Sequence, residues 1–288
     1  MVDVTVIILT KNEEKNLPDC LDSLDGFAKR VVVVDSFSTD QTKAIALERG
    51  ADFYENKFVN YAKQFNWGID NTSIKTKWTM RLDADERLTP ELKQELTNLT
   101  TEHEKDDING VVMESWLYFL GKRIKHGCHN KRKLMLFKTG FGRIEDIKMD
   151  ERTILFSGST VFAKNRFIHY DFKNLSHWVS KMNWYATREM QDYYDFRSGS
   201  IKLSKENYDR KLAVIRKKKF GIYYHFPLFI RCWLLFVYYY FFRFGFLDGK
   251  EGFVYHWMYH RWYRTLVDSK ILEHRIMNEP FEETGDLK

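Results

Sequence analysis

The sequence predicts an α/β fold with a mostly parallel sheet flanked by helices, followed by a helical extension rich in basic and aromatic residues. Strands of β-branched apolar residues alternate with helical patterns through the first hundred residues, which is typical of a parallel sheet covered on both faces. Three of these strands end in polar clusters. The last third of the chain differs from the rest because a basic run precedes a very aromatic segment.

Four strands are predicted in the N-terminal part, at residues 4–10, 30–35, 51–54 and 77–82. The first two are continuous apolar runs, as expected of strands buried on both faces. Such runs do not alternate between apolar and polar residues, so the pattern argues against a sheet with one face in water.

Helices are predicted between these strands. A leucine stripe at residues 17–24 indicates the first, and Gly50 is a natural residue just after the end of the second. Residues 61–69 form a third helical pattern. A fourth helix is expected to begin at Thr89, with Pro90 in its first position.

The polar clusters follow the first, second and fourth strands, at residues 10–13, 35–36 and 83–85. Ligands of parallel α/β sheets bind outside the carboxyl ends of the strands, so the three clusters are expected to meet in one crevice. No glycine-rich phosphate loop follows the first strand. A nucleotide bound here would need a cation to neutralise its phosphates.

Carboxylates are crowded where the fourth strand ends. Asp83, Asp85 and Glu86 lie within four positions, and like charges at this spacing repel unless a positive group lies among them. Mg²⁺ or Mn²⁺ would supply that charge, because hard cations prefer oxygen ligands. The alternative is an acidic loop exposed to water.

Six segments of the chain carry a family resemblance. Three of them are Ile-Leu-Thr-Lys-Asn-Glu-Glu at 8–14, Val-Val-Asp-Ser-Phe-Ser-Thr-Asp at 33–40 and Leu-Asp-Ala-Asp-Glu at 82–86, and in order and spacing they resemble the signature of glycosyltransferase family 2. The other three are Met-Leu-Phe-Lys at 135–138, His-Tyr-Asp-Phe at 169–172 and Gly-Phe-Leu-Asp-Gly-Lys-Glu-Gly-Phe at 245–253, and they resemble the bacterial branch that builds lipopolysaccharide core and other surface glycans. The resemblance covers nearly the whole chain.

The resemblance implies a GT-A fold, a nucleotide-sugar donor that is most often UDP-linked, and transfer with inversion at the anomeric carbon. It implies that Asp35 meets the base, that Asp83 lies near the ribose and the metal, and that Asp85 holds the metal on the diphosphate. Asp35 has a second interpretation, as a cap of the turn that follows it. The remaining residues assigned to the donor pocket by the same resemblance are Thr10, Lys11, Asn12, Glu13, Asn66 and Ala84.

One position departs from the family pattern and bears on the identity of the donor. Many relatives carry an arginine just before the asparagine that corresponds to Asn66, whereas this chain has Phe65. Lys63 and Gln64 are the candidates to replace that arginine.

The general base is expected between residues 144 and 151. Inverting transfer needs a carboxylate that takes the proton of the acceptor hydroxyl. Relatives often have a His-Glu pair here, so Glu151 is the first choice and Asp150 the second. More distant relatives use a Glu-Asp pair, which keeps Asp146 as a candidate. An exposed acidic loop that pairs with Lys148 and Arg152 is the alternative.

His169 is a candidate third metal ligand, because several GT-A enzymes complete the metal site with a histidine from a later part of the domain. A core histidine bonded to backbone is the competing interpretation. With this residue, the predicted metal site consists of Asp83, Asp85 and His169.

Three functional regions are predicted: a nucleotide-sugar-binding half at 1–100, an acceptor and base half of the same domain at 101–200, and a membrane-associating extension at 201–288. Residues 202–219 contain eight lysines or arginines, and the following aromatic segment is interrupted by Arg231 and Arg243. This combination indicates an anchor at an anionic membrane surface and not a spanning helix.

The expected partners are a nucleotide-sugar donor and a glycan or lipid-linked acceptor, with oligomerisation left open. The expected location is cytoplasmic, peripheral on the inner face of the cytoplasmic membrane. Nucleic acid is not expected, because the aromatic residues are massed together and not interleaved with cations. A non-catalytic sugar-nucleotide-binding protein and, less favoured, a sugar nucleotidyltransferase are the alternatives.

Overall fold

The computed structural model describes residues 1–128, 132–145, 152–170, 174–198 and 222–277. The chain divides into two compact units. Unit 1 comprises Met1–Arg123 and His129–Phe172, and unit 2 comprises Ile124–Cys128 and Lys173–Lys288.

The four predicted N-terminal strands are confirmed. They pair in parallel in the order β3-β2-β1-β4, so the first strand lies at the centre of the parallel part. The strands are β1 (Val2–Thr10), β2 (Ala28–Asp35), β3 (Asp52–Glu55) and β4 (Trp78–Asp83).

The predicted helices of unit 1 are also confirmed. They are α1 (Leu17–Asp22), α2 (Thr42–Glu48), α3 (Tyr61–Asn71) and α4 (Pro90–Glu102). Thr89 caps α4 as expected, because its side chain accepts a hydrogen bond from the amide of Leu92 at 3.2 Å. Gly50 has a φ of +71°, the left-handed conformation that ends a helix without strain.

The second half of unit 1 extends the same sheet with strands of both directions, in the order β4-β8-β6-β11-β5, while β7 pairs with β6. Here β8 runs antiparallel to both β4 and β6, and β11 is parallel to β6. These strands are β5 (Glu86–Arg87), β6 (Ile108–Phe119), β7 (Lys122–Ile124), β8 (Arg132–Lys138) and β11 (Ser159–His169). A separate antiparallel pair joins β9 (Gly142–Ile144) to β10 (Thr153–Leu155).

The core of unit 1 lies on both faces of the sheet. Val6 and Ile8 of β1 belong to one apolar cluster, with Leu92 of α4. Ile7 points to the other face and packs in a second cluster with Phe65 of α3. Successive side chains of a strand alternate between faces, so a continuous apolar run is what a strand between two helical layers requires.

The described residues of unit 2 beyond residue 173 are mainly helical, as the sequence predicts for the C-terminal region. Its α-helices are α5 (Leu175–Arg197), α6 (Ile230–Val237), α7 (Gly249–His256) and α8 (Tyr263–Met277). Two π-helical segments, Tyr238–Phe242 and Trp257–Trp262, follow α6 and α7. Buried side chains spaced four residues apart on α5 and α8 pack together: Met182, Ala186 and Met190 against Tyr263, Val267 and Ile271.

Within unit 2, the 245–253 motif holds the loop at residues 124–128. Asp248 accepts hydrogen bonds from the amides of Lys125 and His126 at 2.9 and 2.8 Å, and lies 2.9 Å from His126 Nδ1. Gly245 has no room for a side chain, because a Cβ there would lie 2.4 Å from His256 Nε2. The motif is therefore explained by packing.

No single helix among residues 222–277 and the other described segments is long and apolar enough to cross a membrane. The helical runs Ile230–Phe242 and Gly245–Met277 meet that test together by length and composition, with a bend of 69° between them.

An ion pair buried in unit 2 gives a test of its core. Arg231 Nε donates to Asp268 at 2.9 Å, and neither side chain is exposed by more than 1%. Asp268→Asn leaves the guanidinium charge buried without its counter-ion, so we expect a loss of about 3 kcal/mol in the free energy of unfolding. Urea denaturation of the full chain measures this change in the free energy of unfolding.

The control is Asp52→Asn, which removes the half-exposed partner of Arg30. A surface pair of this kind contributes about 0–1 kcal/mol. Equal effects of the two substitutions would contradict the assignment of the Arg231–Asp268 pair to the core.

Candidate functional site

The polar ends of β1 and β2 meet as the sequence predicts. Thr10 and Asp35 are partners in the register of the two strands, and both side chains are buried. The Thr10 hydroxyl donates to Asp35 Oδ1 at 2.6 Å. Leu9 of the same strand pairs with Asp83 at the end of β4. The three polar clusters therefore lie at one edge of the sheet.

Asp35 caps the turn that follows β2. Its Oδ2 accepts from the backbone amide of Ser38 at 2.6 Å, and its Oδ1 accepts from the Ser38 hydroxyl at 2.6 Å. This is the turn role that the sequence left open for Asp35. Its contact with a nucleotide base stays a prediction.

Lys11, Asn12 and Glu13 stabilise the loop after β1. The Lys11 ammonium donates to the Ser36 carbonyl at 3.0 Å. Asn12 adopts a left-handed conformation, with a φ of 55°, and its side-chain oxygen accepts from the Thr39 amide at 2.8 Å. The Glu13 carboxylate accepts a hydrogen bond from the side-chain amide of Asn16 at 2.9 Å. The loops after β1 and β2 thus support each other.

Of the two candidates to replace the family's arginine, Gln64 is buried and joins α3 to the end of β2. Its Nε2 donates to the Asn56 carbonyl at 3.0 Å and to the Ser36 hydroxyl at 3.2 Å. Lys63 lies in the first turn of α3, where its amide donates to the cap residue Asn60 at 2.8 Å.

Asn66 anchors strand β9. Its side chain donates to the Ile144 carbonyl at 2.8 Å and accepts from the Ile144 amide at 3.0 Å. Ile144 directly precedes the segment that contains the candidate bases. Asn66 therefore has a structural role in addition to the donor contact predicted for it.

Asp83 is held by three side chains of the protein. Lys133 Nζ of β8 lies 2.6 Å from Asp83 Oδ2, and the Tyr61 hydroxyl donates to Oδ1. Arg81 Nε donates to the same tyrosine oxygen at 2.8 Å and lies 3.9 Å from Asp83 Oδ1. Burial would raise the pKa of Asp83, but the charges of Lys133 and Arg81 outweigh it and hold the pKa of this carboxyl well below its usual range.

Glu86 is fully buried and shares the same lysine. Lys133 Nζ lies 2.5 Å from Glu86 Oε1, while Oε2 accepts from the Asp83 amide at 3.0 Å. Burial and the neighbouring Asp83 carboxylate raise the pKa of Glu86, and Lys133 opposes them. The positive group between these two carboxylates is thus a lysine of the protein.

Asp85 lies apart from the contact of Lys133 with Asp83 and Glu86, and it faces His169. The end of β11 pairs antiparallel with β5, so His169 is opposite Glu86, and its Nε2 lies 3.4 Å from Asp85 Oδ2. The Tyr170 amide donates to the Asp85 carbonyl at 2.8 Å and fixes the two segments together. His169 therefore reaches the site through strand register. Ala84, between the two aspartates, is buried in the core.

Asp85, Glu86 and His169 can bring one ligand atom each within 4.8 Å of one another. The carboxylate oxygens suit Mg²⁺ or Mn²⁺, and a histidine nitrogen is a common ligand of metal ions in proteins. Since both oxygens of Glu86 are engaged by Lys133 and the Asp83 amide, Asp85 and His169 are the better placed ligands. Asp83, the other ligand predicted from the sequence, is engaged by Lys133 and Tyr61.

The candidate bases Glu151, Asp150 and Asp146 lie outside the described residues. The described residues on either side of them are joined, because Arg152 Nε donates to Glu145 at 2.9 Å and the Glu145 amide donates to the Arg152 carbonyl at 2.9 Å. The pair β9–β10 thus brings both ends of this acidic segment together.

Sequence reasoning assigned no role to three site residues: Arg81, which directly precedes the carboxylate cluster in the chain, and Lys133 and Tyr61, which lie far from it in sequence. Lys133 lies 47 residues beyond Glu86 and reaches it because β8 pairs with β4. Tyr61 directly follows the cap residue of α3, and in the sequence it resembles an ordinary apolar residue of a helix. No local pattern in the sequence marks Lys133 or Tyr61.

Comparison with protein families gives a match over more than half of the chain. The model of the family described as "Glycosyl transferase family 2" matches residues 5–165.

Two relatives illustrate the sequence similarity. The chain is 24% identical over 201 residues to an uncharacterized glycosyltransferase of Rickettsia prowazekii, which covers 67% of this chain and 68% of that protein. It is 28% identical over 191 residues to the lipopolysaccharide core biosynthesis glycosyltransferase LpsC of Rhizobium meliloti, covering 64% of this chain and 69% of LpsC.

Two solved structures are similar at lower identity. Glucosyl-3-phosphoglycerate synthase of Mycobacterium tuberculosis, in complex with Mn²⁺, UDP and glucosyl-3-phosphoglycerate, is 22% identical with a TM-score of 0.32; the match covers 39% of this chain and 43% of that one. TarS 1–349 of S. aureus is 14% identical with a TM-score of 0.45, over 99% of this chain and 98% of that one.

The lysine between Asp83 and Glu86 gives a test of the site's electrostatics. Lys133→Met leaves two neighbouring carboxyls with less positive charge around them, so we expect the free energy of unfolding to fall by about 3 kcal/mol near pH 7. Lys29→Met is the control, because Lys29 pairs with Asp3 on the surface and is expected to change stability by less than about 1 kcal/mol.

The effect of Lys133→Met depends on pH in a defined direction. In the parent, Asp83 stabilises the fold above its ordinary pKa of 3.8, and this contribution is lost as pH falls through the lowered folded pKa. In the variant, both carboxyls gain raised pKa values, so the penalty is largest at high pH. The stability difference is expected to shrink from about pH 7 to pH 4 in urea denaturation; a difference that grows on acidification would refute this account.

Proposed function

Because the chain belongs to glycosyl transferase family 2, we propose that it moves a hexose from a nucleotide-sugar, with inversion at the anomeric carbon, to a hydroxyl of a glycan or lipid-linked acceptor. The product would serve the synthesis of bacterial cell-envelope polysaccharide or lipopolysaccharide. The observation that carries this proposal is the meeting of Thr10, Asp35 and Asp83 at the carboxyl ends of β1, β2 and β4, with Asp85 and His169 next to them.

The donor is proposed to be a UDP-sugar bound across the loops after β1 and β2. These loops already hold each other through Asp35, Lys11 and Asn12. A preformed binding surface costs less ordering on binding than a loop that must fold around its ligand. Buried Gln64 of α3, which donates to the Ser36 hydroxyl just after β2, is the better supported replacement for the arginine of relatives.

Asp85 and His169 are proposed to hold Mg²⁺ or Mn²⁺. A divalent cation bound there would offset the negative charge that develops on the leaving diphosphate. Asp83 is proposed to face the ribose and the metal while Lys133 keeps it ionised through its positive charge. Like-charge repulsion among the three carboxylates is reduced by this lysine before any cation binds.

The proposed reaction is a direct displacement. The oxygen of the acceptor hydroxyl forms a bond to the anomeric carbon, and the bond from that carbon to the diphosphate oxygen breaks, with its electron pair leaving on the diphosphate. The hydroxyl proton passes to a carboxylate of the protein. Glu151 is proposed for this role, with Asp150 and Asp146 as the alternatives.

The enzyme is proposed to act in the cytoplasm, at the inner face of the cytoplasmic membrane, where a lipid-linked acceptor would be present. The basic run at 202–219 supports this location, since anionic lipid attracts lysine and arginine at about 1 kcal/mol per charge. The run lies outside the described residues.

The metal assignment is tested with Asp85→Ala. We expect the variant to fold and to lose nucleotide diphosphate release from a sugar donor, because the ligand facing His169 is gone. The protein without metal is expected to be at least as stable as the parent, since one of several crowded carboxylates is removed.

Asp70→Ala is the matched control, because Asp70 pairs with Arg143 on an exposed surface. Thermal melting with and without Mn²⁺ gives a readout apart from activity: ligand that binds only the folded state raises the melting temperature. A full Mn²⁺-dependent shift in Asp85→Ala would contradict the assignment.

The base assignment is tested with Glu151→Gln. The substitution keeps the shape of the side chain and removes its basicity, so donor binding should persist while turnover falls by about 10²–10⁴. Asp150→Asn and Asp146→Asn are the companion variants. Normal turnover in Glu151→Gln together with an inactive companion would transfer the role to that residue.

A screen of nucleotide sugars with Mn²⁺ and Mg²⁺ separates the proposed enzyme from the alternatives. An enzyme releases UDP or GDP in the presence of an acceptor, whereas a non-catalytic binding protein shifts its melting temperature without release. A nucleotidyltransferase would instead form the sugar nucleotide from a sugar phosphate and a nucleoside triphosphate.

A further inference from the structure

Unit 2 carries a cluster of exposed aromatic and aliphatic side chains where α6 and its π-helical continuation end. We call it the aromatic apex and define it as Phe241, Phe242, Phe244, Phe246 and Leu247. Each of these side chains is exposed, Phe242 to 70% and Leu247 to 58%. Large apolar groups massed in this way on a surface mark an interaction site.

The apex lies at a bend of the chain. The run Ile230–Phe242 ends in a π-helical segment, and the next helical run leaves at 69° to it. Phe244, within the bend, adopts a left-handed conformation with a φ of 60°. A bulky residue in this region is strained, and such strain persists where the surrounding structure holds it and is concentrated at functional sites.

The residues behind the apex are packed and hold it in place. Gly245 is buried against His256, where a Cβ would come within 2.4 Å of the imidazole. Tyr240 packs edge to face with Phe246, with ring centroids 6.3 Å apart, and stacks on Phe236 at 5.3 Å. The apex is therefore a preformed projection whose exposed side chains have a supported backbone.

The charges around the apex identify its partner. Between residues 226 and 247 the sequence contains no acidic residue and two basic ones, of which Arg231 is buried against Asp268 and Arg243 is exposed. Just beyond the apex, Lys250 is exposed, Glu251 is half-buried, and Asp248 is buried and bonded to residues 125 and 126. Exposed tryptophans at 233 and 257 belong to the same group of helices, and this residue type favours the boundary between headgroups and acyl chains. Apolar residues beside cations fit an anionic lipid surface.

We propose that the aromatic apex enters the headgroup–acyl boundary of an anionic bilayer, as an interfacial wedge that does not cross it. Phe241, Phe242, Phe244, Phe246 and Leu247 enter the boundary, while Arg243 and Lys250 contact lipid phosphates. The inference rests on the proposed function only in that a lipid-linked acceptor gives the enzyme a reason to bind there. Attraction by the basic run is a separate, electrostatic contribution.

The test uses the full chain and phosphatidylcholine vesicles with phosphatidylglycerol at about one third of the lipid. The apex variant is Phe242→Ser, Phe244→Asn and Leu247→Ser in one chain; asparagine suits the left-handed position of Phe244. We expect its partition onto vesicles at high salt to fall by at least about tenfold, because apolar area no longer leaves water.

Two further variants separate the contributions. Ile276→Ser with Met277→Ser removes exposed apolar side chains elsewhere in unit 2 and should bind as the parent does. The variant that combines Lys217→Glu, Lys218→Glu and Lys219→Glu should bind vesicles more weakly than the parent at low salt. At high salt, where charges are screened, it should bind as the parent does. Circular dichroism and thermal melting of each variant establish that it is folded.

The proposal would be overturned by a folded apex variant that binds like the parent, or by a parent that ignores anionic vesicles. It would also be overturned if the apex variant changes only the oligomeric state in sedimentation, since the apex would then be an interface between two copies of this chain. Asp85→Ala should bind vesicles normally, so failure of the glycosyltransferase proposal and failure of the membrane proposal give different results.

Discussion

The contact of Lys133 with Asp83 and Glu86 is the interaction on which the candidate site depends. One ammonium lies 2.6 Å from the first carboxylate and 2.5 Å from the second, and the lysine is supplied by a strand that pairs with β4. Without it, two neighbouring carboxylates would be crowded where water is scarce, and one of them would take up a proton. The lysine keeps Asp83 charged, and the remaining carboxylate, Asp85, is placed toward His169.

Strand register supplies the second half of the site. The two-residue strand β5 pairs with the end of β11, and this pairing sets His169 beside the carboxylates although more than eighty residues separate them. A shift of one residue in a strand would turn the histidine to the other face of the sheet. The Tyr170–Asp85 backbone contact and the long pairing of β11 with β6 oppose such a shift.

The two units differ in how many large apolar side chains they expose, with more of them in unit 2. Unit 1 buries its apolar strands and gathers carboxylates at one edge of its sheet. Unit 2 buries charges, in the pair Arg231–Asp268 and in Glu189 bonded to Tyr224, Tyr263 and Arg264, while it exposes phenylalanines. Buried charges without partners would be costly, so each is matched. Phenylalanines exposed together on one surface indicate a surface that is covered when the protein acts.

The sequence by itself determined the parallel part of the sheet, because apolar runs, caps and turn residues are local signals. Strands β1 to β4, the Thr89 cap and the meeting of Thr10, Asp35 and Asp83 all follow from them. The crowding of carboxylates marked Asp85 as a candidate metal ligand, and the family resemblance added His169. Only the tertiary structure decided what each carboxylate touches. Lys133, Tyr61 and the anchoring of Ile144 by Asn66 are contacts between strands and helices distant in sequence. The aromatic apex likewise depends on which phenylalanines of an apolar segment the helices leave uncovered, which packing decides and composition does not.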